Sequence, residues 1–272
     1  MARALHPRIS VNQISSWKWT TAQDIAFYRE QGITTIAAAQ YKLEEDPAAG
    51  IAAIRDADLR CVTVATGTGG RSLVAPADPD AWEVLRGGID SAAALGAPCC
   101  YFTSGGTPDR MPTDDAYAAL VKAIAPARDY AARKGVRLAI ENNSIPTRAS
   151  GFIHTLADAA ALAGDADIDI VLDIQNCWVE RRLPELFRHH VPHIALVQLS
   201  DFKVGEPAML NRRVPGDGSI AIEWILGHLL DAGYAGAFDI EMLGPHIEEE
   251  GYASAIGRAT DWLSDCLDRL GA

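Results

Sequence analysis

Eight short apolar runs recur along the chain, at residues 9–13, 34–38, 60–65, 99–103, 136–141, 168–173, 194–199 and 236–241. Between them lie helix-like stretches of a dozen or so residues, among them 21–31, 79–95, 114–134, 155–163, 183–190, 221–232 and 252–270. Runs of β-branched and aliphatic residues without polar alternation read as strands buried on both faces, the mark of a parallel sheet covered by helices. Gly32, Gly96, Gly135 and Gly233 follow helix ends and suit left-handed caps. Thr113 and Asp78 offer N-cap side chains. Eight strand–helix units predict an α/β protein, a single (β/α)8 TIM barrel over residues 1–272 as one domain. A doubly wound open sheet competes, but neither GxGxxG after the first strand nor GxxxxGK[ST] is present, and TGTGG at 66–70 fits neither motif.

Four of the runs close on a polar side chain: Glu141, Asp173, Gln198 and Glu241. In a barrel these positions fall at the C-terminal strand ends, on four successive strands, where active sites are built. A carboxylate there costs stability unless it is paired, hydrogen-bonded or bound to metal. Three carboxylates and an amide are all oxygen donors, the set preferred by a hard divalent cation such as Mg²⁺ or Mn²⁺. The bland alternative is four separate strand-end caps. The loops at 66–78, 104–113, 142–154 and 200–220 are the longest and belong to the same face.

The formal net charge of −12 argues against nucleic acid or an anionic membrane as partner and leaves a small molecule. Five cysteines in no CxxC pair predict buried free thiols. The N-terminus has no apolar signal core, so a cytoplasmic protein is expected.

LAIEN at 138–142, VLDIQN at 171–176, HIALVQLSD at 193–201, RRVPGDGSI at 212–220 and DAGYAGAFDIE at 231–241 resemble the sugar phosphate isomerase/epimerase family, the xylose isomerase-like TIM barrels. The resemblance covers the last two-thirds of the chain. It implies one divalent ion (Mn²⁺ or Mg²⁺, with Co²⁺ possible) on Glu141, Asp173, Gln198 and Glu241. It further implies Glu141 and Glu241 as the acid/base pair of an isomerase or epimerase. Such an enzyme acts on a small polyhydroxylated ketone or aldehyde through a metal-stabilised enediolate. Relatives commonly form dimers or tetramers, so a homo-oligomer is expected.

Two positions depart from the family pattern. Gln198 stands where the family usually has a metal-binding His, and Asn176 where it usually has a substrate-binding His. Some dehydratases of the family use Gln at the first position, so a metal-dependent dehydratase or other carbon–oxygen lyase is the alternative. Asn176 can still bind a hydroxyl or carbonyl of the substrate. Arg212, before the PGDG turn, matches a substrate-contacting arginine. His154, after the fifth strand, and Arg71, after TGTGG, are further substrate-binding candidates. Trp17, Trp19, Tyr41 and Trp178 fall in loops after strands and are candidates for the pocket wall or for plain packing.

Overall fold

The computed structural model describes residues 4–43, 45–66, 71–74, 77–144, 149–206 and 210–272. Eight parallel strands close a barrel in sequence order. They are β1 (Ile9–Asn12), β2 (Thr35–Ala39), β3 (Arg60–Ala65), β4 (Cys99–Phe102), β5 (Arg137–Glu141), β6 (Asp169–Asp173), β7 (Ile194–Leu199) and β8 (Phe238–Ile240). Around them pack α1 (Thr21–Gln31), α2 (Pro47–Asp56), α3 (Ala81–Leu95), α4 (Thr113–Arg133), α5 (Leu156–Ala166), α6 (Ile174–Cys177), α7 (Leu183–His190), α8 (Ile222–Asp231), α9 (Pro245–Glu250) and α10 (Tyr252–Leu270). Parallel strands need crossovers, and amphipathic helices supply them while covering the outer strand face.

The caps follow local chemistry. Thr20 and Gln23 form a capping box at α1, and Gly32 ends that helix at φ 71°. Thr113 is the first residue of α4 rather than its cap. Asp78 accepts from Asp80 N at 2.9 Å, in the turn ahead of α3.

Alternation along the strands sorts the core into two layers. The larger lies between strands and helices and includes Ile36, Ile140, Leu172, Phe187 and Phe238. The smaller includes Val62, Tyr101, Ala139, Val171 and Leu196 and fills the barrel interior. Two residues further along three of the same strands stand Glu141, Asp173 and Gln198, so they share the inward face. Asp173 lies level with Gln198, and Gln198 with Asp239, which aligns the donors around the mouth.

All five cysteines are buried and free. Among the described residues, no helix is long and apolar enough to cross a membrane. Positions 67–70 of the TGTGG stretch lie outside the described residues.

Candidate active site at the barrel mouth

Glu141, Asp173 and Glu241 bring carboxylate oxygens within 4.8 Å of one another, and all three are buried. At that separation each ionised pair repels by roughly 3–4 kcal/mol, taking an effective dielectric of about 20. Asp239, two residues before Glu241, adds a fourth buried carboxyl. Among the described residues the cation paired with this cluster is Arg212, also buried. Its guanidinium meets Asp173 Oδ2 at 2.7 Å and Glu241 Oε1 at 3.7 Å. It also donates to the Glu241 carbonyl at 3.0 Å. One guanidinium does not balance four carboxyls. Burial first, then the Glu241 and Asp173 charges, push Glu141 well above the usual carboxylate range. Burial also lifts Glu241 to about 7, although Arg212 pulls the other way. Asp239 is pushed up to about 8, chiefly by burial.

The neighbouring groups hold these carboxylates in place. Asn142 and Asp173 exchange two bonds, Asp173 N donating to Asn142 Oδ1 at 2.8 Å and Asn142 Nδ2 to the Asp173 carbonyl at 3.2 Å. Asn176 Nδ2 donates to Asp173 Oδ2 at 2.9 Å and to the Asn142 carbonyl at 2.8 Å. Gln198 Nε2 donates to Glu241 Oε2 and, at 3.0 Å, to the Tyr101 hydroxyl. Gln198 Oε1 is buried and has no hydrogen-bond partner among the described residues. An orphaned amide oxygen costs about 1–3 kcal/mol. A hard cation beside three carboxylates would satisfy it, so the residues present fit a divalent metal.

Arg212 is delivered by its loop. Asp201 accepts from Phe202 N at 2.8 Å, Gly216 N at 3.0 Å, Gly218 N at 2.9 Å and Ile220 N at 3.1 Å. Gly218 is required there, because a Cβ would sit 2.1 Å from Asp201 Oδ1. The PGDG turn thus wraps the Asp201 carboxylate and seats Arg212 over the barrel.

A cavity of about 280 Å³ opens above the cluster. Glu141, Glu241, Asn176 and Arg212 line it, with Tyr101, Asn143, Ile14, Leu210 and Leu243 among the remaining walls. His154 and Arg71 are not part of that lining. His154 Nδ1 lies 2.8 Å from the Asn143 carbonyl, and the Arg71 backbone passes over Gly105, where a Cβ would meet its carbonyl at 1.9 Å. The loop aromatics also stand elsewhere. Trp17 donates to Glu248, Tyr41 to the Trp17 carbonyl, and Trp19 packs edge-on against Phe27 and Tyr252. A larger groove of about 590 Å³ runs outside the barrel between α2 and α3; Leu43, Ile51, Ala52 and Ala94 are on its walls, and among the described residues it holds no carboxylate cluster.

Asn12, Tyr101 and Asp239 belong to this centre without having been singled out in the sequence. For Asp239 the available signal was its spacing of two from Glu241, which puts both on one strand face.

The sequence model of the xylose isomerase-like TIM barrel family matches residues 25–266. The chain belongs to that family. Solved structures agree on the fold of this xylose isomerase-like barrel. A protein of Sinorhizobium meliloti superposes with a TM-score of 0.86 at 22% identity, covering 96% of this chain and 98% of its own. IolI protein with a bound zinc atom gives 0.80 at 15%, covering 97% and 99%. The 3-keto-D-glucoside 4-epimerase of E. coli gives 0.77 at 17%, covering 95% and 99%. No curated protein sequence matches the chain.

Proposed function

We propose that this barrel is a divalent-metal-dependent isomerase or epimerase of a small polyhydroxylated ketone or aldehyde. The observation that carries the reading is the buried Glu141–Asp173–Glu241 cluster, with its excess of negative charge and the unpartnered Gln198 oxygen beside it. These four side chains would hold Mn²⁺, Mg²⁺ or Co²⁺. Such an ion would polarise a substrate carbonyl and stabilise the negative charge that builds on its oxygen.

The rest is done by the chain's own groups. Glu141 and Glu241 border the cavity, where a carboxyl can take a proton from a bound substrate and return it. One removes the proton from the carbon next to the carbonyl; the same or the other carboxyl returns it to the adjacent carbon or the opposite face. The Arg212 guanidinium pairs with Asp173 and opposes the upward push of burial on that carboxyl, and its buried Nε, without a partner among the described residues, is a donor for a substrate hydroxyl. The size of the cavity, at the small end of ligand pockets, favours a single sugar-like unit. The bound zinc of IolI protein and the epimerase activity named for the E. coli neighbour support the same class.

The test is incubation of the Mn²⁺-loaded protein with a panel of ketoses and 3-keto-sugars in D₂O. Deuterium enters the substrate carbon without loss of water, and a chelator abolishes the exchange. Loss of water with a new conjugated absorbance would make the protein a lyase instead. A protein that binds no divalent ion would overturn both readings.

A further inference from the structure

Three donors from three strands meet at a single atom, Glu241 Oε2. They are Asn12 Nδ2 at 3.1 Å, the Tyr101 hydroxyl at 3.3 Å, and Gln198 Nε2. We propose that Tyr101 is a positioning residue that, with Asn12, pins this oxygen of Glu241 and leaves Oε1 as the atom presented to a metal ion; the proposal rests on the metal-dependent reading above.

The phenol is the hub of the cage. It donates to Glu241 and accepts from Asn12 Nδ2 at 3.3 Å and Gln198 Nε2 at 3.0 Å. The phenol's one hydrogen faces Glu241 and its lone pairs face two amide nitrogens, while the two hydrogens of Asn12 Nδ2 are shared among Tyr101, Glu241 and Asp239. Its ring is buried in the barrel interior with Val62, Ala139 and Val171, so the hydroxyl is held by packing from below. Asn12 is fixed in turn. Its Oδ1 accepts from Ile14 N at 3.0 Å, and its Nδ2 also reaches Asp239 Oδ2 at 3.0 Å. Among the described residues no donor is within hydrogen-bond length of Glu241 Oε1; the Arg212 guanidinium lies 3.7 Å away. A carboxylate with one oxygen saturated by donors and the other unbonded has a defined orientation and a single free ligand atom. Groups that orient a metal ligand in this way typically account for about 10–100-fold in metal affinity or activity.

A tyrosine that merely filled the barrel would be replaced by phenylalanine without consequence. Tyr101→Phe keeps the ring and removes the hydroxyl, and Asn12→Ser removes the second donor without touching the aromatic interior. Mn²⁺ affinity is measured by calorimetry on wild type, both single variants and the double variant, with circular dichroism to confirm folding. Each single variant is expected to bind Mn²⁺ about 10–100-fold more weakly. The double variant should lose less than the product of the two, because both act on one oxygen. The visible absorption band of the Co²⁺-loaded Tyr101→Phe protein should shift as Glu241 loosens. Should Tyr101→Phe fail to fold, Asn12→Ser decides. Affinity within twofold of wild type in the folded variants overturns the proposal and leaves the metal reading standing. A wild-type protein that binds no Mn²⁺ overturns both.

Discussion

Two buried acidic clusters lie at the same end of the barrel, and they differ in how their charge is met. At the first, Asp24 of α1 is fully buried with Lys42 Nζ at 2.7 Å, Gln13 Nε2 at 3.0 Å and Ser16 Oγ at 2.6 Å. Gln13 Oε1 in turn takes Ala39 N at 3.0 Å, tying the ends of β1 and β2 together. One carboxylate faces one ammonium, and donors cover both oxygens. At the second, Glu141, Asp173, Glu241 and Asp239 face one guanidinium among the described residues, and an amide oxygen is left bare. Burial alone therefore does not mark a functional site. The balanced cluster is architecture, whereas the unbalanced one sets four carboxyls against one cation, an imbalance of three that a divalent ion would largely offset.

The comparison breaks most visibly if the unbalanced carboxylates are neutralised. Glu141→Gln and Glu241→Gln should each lower the solvent-exchange rate by about 10²–10⁴-fold and abolish stoichiometric metal binding. Metal-free, both variants should melt at or above metal-free wild type at pH 8, since a repulsive charge has been removed. Melting below wild type would show that the cluster is structural.

Neutralising the balanced cluster should do the reverse. Lys42→Met leaves Asp24 buried and unpaired, which is expected to destabilise the fold by about 3–5 kcal/mol in denaturant titration. Metal affinity should be unchanged. Replacing both partners, as Asp24→Leu with Lys42→Met, should recover most of that loss, because no buried charge remains.

The pH dependence is a smaller effect of fixed sign. Glu241 titrates near 7 in the metal-free fold, against about 4.3 in an unfolded chain. Between those values the folded chain holds a proton that the unfolded chain has lost, so stability falls as pH rises through this window and levels off above it. Glu241 alone accounts for up to about 4 kcal/mol. Metal-free protein should thus melt higher at pH 5 than at pH 8. Added Mn²⁺ should raise the melting temperature more at pH 8, where the ligands are already deprotonated. A flat profile would mean that the cluster is not charged as described.

Much of this was legible in the chain. The run at 60–65 is β3 and the run at 194–199 is β7, residue for residue, because continuous aliphatic runs between helix caps have little other use. The run at 236–241 keeps only Phe238–Ile240 as a strand, since its ends run out into the loops at the two barrel mouths. Glu141, Asp173, Gln198 and Glu241 stood out because a polar residue closing a buried run is costly. Tyr101 did not, because CCYF reads as ordinary core and nothing local says that its hydroxyl meets Glu241, 140 residues later. Arg212 was visible as a basic residue beside a PGDG turn. Its pairing with Asp173 depends on the loop closing around Asp201, a contact between backbone amides and a carboxylate that sequence spacing does not encode.

The sequence by itself determined the number of strand–helix units and the oxygen-donor character of the strand ends. Both follow from hydrophobic patterning and from the chemistry of single side chains. Only the tertiary structure decided that these donors converge. Closing the sheet and staggering its strands place residues from positions 12 to 241 around one point. Whether a buried carboxylate there is paired, like Asp24, or left in excess, like Glu141, depends on neighbours that are close in space and far apart along the chain.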